Sequence, residues 1–167
     1  MQSKLEYILT NSHKAEMIAY LKSTPGDFDE AIHLALSDKQ PYSWRAAWLL
    51  WACIEKNDPR IQKHIEKIIE ILPKRGDNQL RELLIILQQM ELNDSYEGKL
   101  FDICVSIWKR IEKQSSVRYH AFKTLIKIAK KHPDLTQEIK LLAESHYMNT
   151  LSAGVKRSLL KMMSRLT

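Results

Sequence analysis

Val117-Arg118-Tyr119-His120-Ala121 opens a predicted helix with an apolar residue followed directly by a cation, and this step recurs three times. The other examples are Trp44-Arg45-Ala46-Ala47, Leu80-Arg81-Glu82-Leu83 and Val155-Lys156-Arg157-Ser158. The cations stand at positions 45, 81, 118 and 156, so the intervals between them are 36, 37 and 38 residues. A nearly constant interval of this length is typical of arrays that repeat one supersecondary unit. The sequence therefore predicts stacked units with one such step in each.

The segments between these steps predict helices and no strand. Apolar residues recur at intervals of three and four, and only four Gly and five Pro interrupt the chain. Helices are predicted at residues 2–11, 13–23, 27–37, 42–56, 59–72, 77–92, 95–113, 116–131, 134–148 and 152–166. Pro59 and Pro133 each begin the first helix of a pair, and they are 74 residues apart, or two periods of 37. The prediction is an all-α fold of antiparallel helix pairs.

Two of the predicted helices differ in a way that suits a stack of pairs. Residues 80–92 are apolar around most of the helix, so neighbouring helices must cover them on several sides. The helix at 116–131 is amphipathic instead, as a helix near the end of an array should be. On a helical wheel with Arg118 at zero, Phe122 lies on the apolar side and the lysines fall between about 120° and 220°. Those lysines are Lys123, Lys127, Lys130 and Lys131.

The recurring step resembles the HEAT-repeat family, whose second helices open with an apolar–Arg step followed by small and aliphatic residues. Val117-Arg118 with Ala121 and Leu125 follows that pattern most fully. The resemblance covers roughly residues 27–166, and it departs from the family at Lys156, which stands in place of Arg. It implies a right-handed α-α superhelix of stacked antiparallel helix pairs, with a concave face of the kind that binds proteins or nucleic acids.

Length and composition set the expected domain organisation and exclude several classes of protein. The 167 residues suffice for one domain, with N-terminal capping helices at 1–26 and about four helix pairs at 27–166. The longest apolar run, Ala46–Ile54, is too short to span a bilayer, and the N-terminus lacks the features of a signal peptide. Two cysteines exclude a disulfide framework, and HExxH and CxxC motifs are missing, so no metal and no cofactor are expected. A cytoplasmic location is the default expectation.

The net charge of +6 is concentrated in the C-terminal half of the chain. Residues 1–58 carry 6 Lys and Arg against 8 Asp and Glu, residues 59–94 carry 6 against 6, and residues 95–167 carry 14 against 6. The three segments thus contribute −2, 0 and +8. Such an asymmetry makes the C-terminal half a candidate surface for an anionic partner.

The four recurring cations, Arg45, Arg81, Arg118 and Lys156, admit two interpretations. In the structural interpretation, each aliphatic stem packs between neighbouring repeats while the charged head bonds to carbonyls or acids at a loop. The position of Arg118 on the apolar side of its helix favours that role. In the functional interpretation, the four cations contact phosphates or carboxylates along a concave face.

Two basic helices near the C-terminus contain no acid. No carboxylate between Arg118 and Lys131 relieves the repulsion among the four lysines, and none occurs from residue 155 to 167. The cations of the last helix include Lys156, Arg157 and Lys161. Charge runs usually form solvated helix faces, which is the plainer interpretation. The alternative is one patch across both helices that binds an anionic surface.

Trp44, Trp48 and Trp51 recur at i, i+4 and i+7 and therefore share one stripe of a helix. Aromatic residues at helical spacing more often belong to the core, where these three would seal the N-terminal helices onto the stack. The alternative is an exposed aromatic wall that stacks a base or anchors a peptide.

Binding is the function class that these observations favour. We expect a non-catalytic module that docks a protein partner on its concave or basic face, and nucleic-acid binding through the basic C-terminal helices is the alternative. Trp44-Arg45-Ala46-Ala47 is loosely similar to DNA alkylation repair glycosylases built from HEAT-like repeats. Those enzymes need an acid in the cleft, and none follows Trp44 until Glu55, so we identify no catalytic residue. No membrane partner is expected.

Overall fold

The computed structural model describes residues 1–166. These residues form twelve α-helices and contain no strand. The helices are α1 (Lys4–Asn11), α2 (Lys14–Ser23), α3 (Phe28–Leu36), α4 (Tyr42–Cys53), α5 (Pro59–Gln62), α6 (Ile65–Ile71), α7 (Asp77–Gln88), α8 (Asp94–Lys109), α9 (Ser115–Lys131), α10 (Thr136–Leu142), α11 (Ser145–Met148) and α12 (Ala153–Met163). Short 3-10 segments lie at Pro25–Asp27, Leu72–Lys74 and Pro133–Leu135. The predicted all-α fold class is confirmed.

Two of the predicted helices are interrupted. The helix expected at 59–72 divides into α5 and α6 at Lys63 and His64, and a break at Ala143 separates α10 from α11. Neither break contains Pro or Gly, so no helix-breaking residue marks it in the sequence. The boundaries of the other helices agree with the predicted ones to within four residues.

The chain forms two compact units, Met1–Glu91 and Leu92–Thr167. In the first unit, α3 and α7 both pack against α4, and α1 and α2 contact α4 as well. In the second unit, α8 and α9 form a pair, and α9 also contacts α10 and α12. The second helices α4 and α9 are therefore the elements around which the two units are organised.

Each unit has an apolar core. The solvent exposure of α7 is 1% or less at Leu83, Leu84 and Ile86, which span about 160° of the helix, so neighbouring elements cover it on more than one side as expected. In the second unit, the ring centres of Trp108 and Phe122 lie 4.5 Å apart. The Trp108 indole N–H donates to the carbonyl of Leu142 at 2.7 Å, which ties α8 to α10. Within residues 1–166, none of the helices combines the length and the hydropathy that crossing a membrane requires.

Asp58 is a buried carboxylate that caps α5. It is 3% exposed and accepts hydrogen bonds from Nε and Nη2 of Arg60, at 3.0 and 2.8 Å. The backbone N–H groups of Arg60 and Glu55 donate to it as well, at 3.0 and 3.2 Å. The Arg60 side chain above all, assisted by the backbone donors, outweighs burial and lowers the pKa of Asp58 to about 2.

We expect acid to remove the stability that Asp58 contributes. Its folded pKa lies below the ordinary value of 3.8, so the carboxylate stabilises the fold above about pH 4, and the contribution is lost as the pH falls toward 2. The difference between the two values corresponds to roughly 2 kcal/mol. Urea unfolding of the wild type and of Asp58→Asn should differ by about that amount at pH 7 and converge near pH 2. A difference that persists undiminished at pH 2 would contradict this assignment.

Candidate functional site

Arg45 and Arg81 of the first unit are both engaged within the chain. Arg45 is half-buried, and its Nη1 donates to the carbonyl of Leu9 in α1 at 2.8 Å. Its guanidinium carbon lies 5.2 Å from the ring centre of Trp44. Arg81 donates from Nε and Nη2 to Oε1 of Glu82, at 3.0 and 2.8 Å. These two heads therefore bond to a carbonyl and to an acid of their own unit.

Arg118 of the second unit is 1% exposed. Its Nε and Nη2 donate to the carbonyls of Trp108 and Tyr147, at 3.0 and 2.6 Å, and its Nη1 donates to Oγ1 of Thr150 at 2.9 Å. The guanidinium carbon also lies 4.5 Å from the ring centre of Trp108. Burial lowers the pKa of Arg118. Arg118 therefore joins α8, α9 and the segment around α11, whereas Lys156, the fourth recurring cation, is half-buried on α12.

Trp44, Trp48 and Trp51 form a half-buried stripe along α4. The rings of Trp48 and Trp51 meet edge to face, with their centres 5.9 Å apart. The ammonium of Lys14, from α2, lies over the ring of Trp48 at 5.1 Å from its centre. The stripe thus takes part in the packing of the N-terminal helices while each tryptophan keeps some solvent exposure.

Glu82 is an acid beside the tryptophans that sequence reasoning did not find. Its side chain is 4% exposed, its Oε2 accepts the indole N–H of Trp51 at 2.5 Å, and its Oε1 accepts the guanidinium of Arg81. Along the sequence, the first acid after Trp44 is Glu55, which is exposed. The packing of α4 against α7 brings Glu82 to this place instead. Both of its oxygens are occupied by partners in the chain.

The exposed cations of α9 and α12 lie on neighbouring helices. At the seam between the two helices, the hydroxyl oxygen of Tyr119 in α9 lies 3.3 Å from that of Ser158 in α12. Leu125 of α9 and Leu159 of α12 are fully buried. At 100° per residue, five exposed cations of the two helices lie about 140–200° around the helix from these leucines. We define the basic face as Lys123, Lys127 and Lys130 of α9 together with Arg157 and Lys161 of α12, all of them exposed.

The basic face is strongly cationic because neither helix contains an acid. Within residues 1–166, the side chains of Lys123, Lys130, Arg157 and Lys161 make no ion pair and no hydrogen bond. Leu160 is 52% exposed and lies next to Arg157 and Lys161 on α12. The surface therefore combines positive charge with an accessible apolar side chain.

Lys131 does not join the basic face, although it belongs to the same run of lysines. Its ammonium pairs with Glu97 of α8. The neighbouring His132 donates from Nε2 to Oε2 of Glu97 at 2.6 Å, and the same nitrogen lies 3.9 Å from Oδ1 of Asp94. Within residues 1–166, Asp94, Glu97 and His132 form a cluster in which one carboxylate oxygen or ring nitrogen from each residue lies within 4.8 Å of the others. Sequence reasoning missed them, although an antiparallel pair must bring the acidic first turn of α8 to the basic last turn of α9.

Comparison with models of protein families gives a match. A family model described as HEAT repeat domain matches residues 1–166. No curated protein and no solved structure matches the chain significantly. The family match covers almost the whole chain and includes α1 and α2, which the resemblance at residues 27–166 had left outside.

Proposed function

The chain belongs to the HEAT-repeat family, and on that premise we propose that it is a non-catalytic binding module that docks a protein partner on the basic face. Family membership supports an interaction scaffold. The observation that carries the choice of surface is the acid-free pair α9 and α12, whose solvent sides present five cations. Cations gathered on one surface attract an anionic partner and set its orientation.

An acidic protein segment suits this surface because apolar groups lie beside the cations. Leu160 is 52% exposed, and Tyr119 is half-buried at the seam between α9 and α12. An amphipathic acidic segment buries these groups while its carboxylates pair with the cations. A phosphate backbone offers hydrogen-bond acceptors and charge, but no matching apolar surface.

The test measures the fluorescence anisotropy of a labelled peptide with glutamate and leucine at helical spacing, titrated with the full chain. We expect saturable binding that weakens with salt and that Leu160→Ser reduces about tenfold, since burial of one leucine is worth roughly 1.5 kcal/mol. A peptide with lysine in place of every glutamate is the control and should not bind. No binding at low salt, or equal binding of the lysine peptide, would refute the proposal.

Duplex nucleic acid is the second candidate partner, favoured by the lysines on successive turns of α9. If all five cations of the basic face neutralise a phosphate, the logarithm of the affinity should fall against the logarithm of salt with a slope of about −4.5. Leu160→Ser should leave duplex binding unchanged. A steep slope with that insensitivity would favour nucleic acid, whereas no duplex binding at low salt would remove it.

A further inference from the structure

The second unit contains a cleft whose charge is opposite to that of the basic face. The cleft has a volume of about 290 Å³ and is lined by the first turns of α8, the end of α9 and the segment that follows α9. The unit Leu92–Thr167 carries 14 Lys and Arg and only seven Asp and Glu, yet four of those seven acids line this cleft. They are Asp94, Glu97, Asp102 and Asp134. Their grouping concentrates negative potential where a cation can enter.

Three side chains of the cleft bring ligand atoms together. Nε2 of His132 lies 2.6 Å from Oε2 of Glu97 and 3.9 Å from Oδ1 of Asp94, and the three ligand atoms lie within 4.8 Å of one another. A zinc ion holds imidazole nitrogen and carboxylate oxygen at about 2.0–2.2 Å, so two of its ligand atoms are at most about 4.4 Å apart. The side chain of Asp94 is 90% exposed and free to rotate into that range. When the ion binds, Nε2 of His132 releases to solvent the proton that it donates to Glu97, and its lone pair binds the ion in place of that hydrogen bond.

Glu97 is oriented in the way that a metal-ligating carboxylate requires. Its side chain is 5% exposed, and the ammonium of Lys131 contacts Oε1, which leaves Oε2 directed toward His132. A hydrogen bond to the second oxygen fixes a ligating carboxylate. At Gly98, which also lines the cleft, an added Cβ would meet nothing within 4 Å, so the wall of the cleft is uncrowded at this residue.

We propose that Asp94, Glu97 and His132 bind one divalent transition-metal ion, of which zinc fits best. An imidazole together with carboxylates suits zinc and its neighbours, whereas calcium and magnesium prefer sites made of oxygen alone. Three protein ligands leave the fourth position of a tetrahedral ion to water. The site uses no residue of the basic face, so it goes beyond the docking function proposed above and stands or falls independently of it.

The test titrates Zn²⁺ into the full chain, previously stripped with a chelator, by isothermal titration calorimetry. We expect one ion per chain, and Co²⁺ in place of Zn²⁺ should give the visible absorption of a tetrahedral site. His132→Gln and Asp94→Asn should each weaken binding at least about tenfold, as the loss of an outer-shell partner already does. His146→Gln and Glu138→Gln change exposed residues outside the cleft, and these controls should bind as the wild type does.

Thermal denaturation distinguishes a metal site from a cluster of ion pairs that only links α8 to α9. If the three residues bind an ion, saturating Zn²⁺ raises the Tm of the wild type and of Glu138→Gln, but not that of His132→Gln. If the cluster is an ion pair alone, His132→Gln lowers the Tm equally with and without Zn²⁺, and the wild type shows no Zn²⁺-dependent shift. That second result, or the lack of saturable binding by the folded wild-type chain, would overturn the proposal.

Discussion

Replacing Arg118 with alanine will lower the free energy of unfolding of the second unit by about 3–5 kcal/mol. The side chain is 1% exposed, and its three nitrogens donate to two carbonyls and a hydroxyl. Its removal deprives the carbonyls of Trp108 and Tyr147 of a donor and opens a cavity beside the Trp108 ring. Amide hydrogen exchange in α8 and α9 measures the loss, because it reports the opening of this unit separately from the first.

Two further variants define what the Arg118 result means. Arg118→Met keeps much of the aliphatic stem but none of the donors, so it should recover only the packing part of the loss. Arg157→Ala is the matched control, an exposed arginine on the neighbouring α12, and it should change stability by no more than about 0.5 kcal/mol. If Arg118→Ala lowered the free energy of unfolding no more than Arg157→Ala does, the hydrogen bonds of Arg118 would not stabilise the second unit as we infer.

Reversing three charges of the basic face, with Lys123→Glu, Lys127→Glu and Lys130→Glu combined, will weaken binding of the acidic peptide at least about 100-fold. The three side chains are exposed, so the fold should survive the change. The substitutions convert attraction into repulsion of like charges, which costs several kcal/mol at an interface, and about 3 kcal/mol already corresponds to 100-fold. Fluorescence anisotropy at one fixed salt concentration measures the effect.

The matched control reverses three exposed lysines of the first unit, with Lys56→Glu, Lys63→Glu and Lys74→Glu combined. Its net charge changes by the same amount, so any effect of total charge is equal in the two triple variants. We expect the control to retain most of the affinity of the wild type. Equal losses in both variants would mean that net charge, not the basic face, governs binding.

The helix pairs could be predicted because hydrophobic periodicity and the apolar–cation step are local properties of the chain. The breaks at Lys63-His64 and at Ala143 could not be predicted, since no Pro or Gly stands at either break. Tertiary packing decides whether a short first helix continues or bends there, and a single sequence does not show the neighbours against which it packs.

For the residues of the candidate site, too, the sequence predicted the side of the helix on which each lies but not the partners that each contacts. The place of Arg118 on the apolar side of its helical wheel predicted its burial, but its acceptors, Trp108 and Tyr147, belong to other elements. Lys131 falls with the other lysines on the wheel, yet the antiparallel pairing of α8 and α9 sets it against Glu97. A wheel shows which side of a helix a residue occupies, and only the packing shows what lies opposite.

Nuclear magnetic resonance mapping of the acidic peptide on the isotope-labelled full chain tests most directly whether the basic face is the docking surface. We predict that chemical shifts change at the basic face, from Lys123 to Lys130 on α9 and from Arg157 to Lys161 on α12. The indole N–H signals of Trp48 and Trp51 in the first unit should stay in place. Shifts confined to the tryptophan stripe, or scattered over both units without enrichment on α9 and α12, would contradict the basic face as the docking surface.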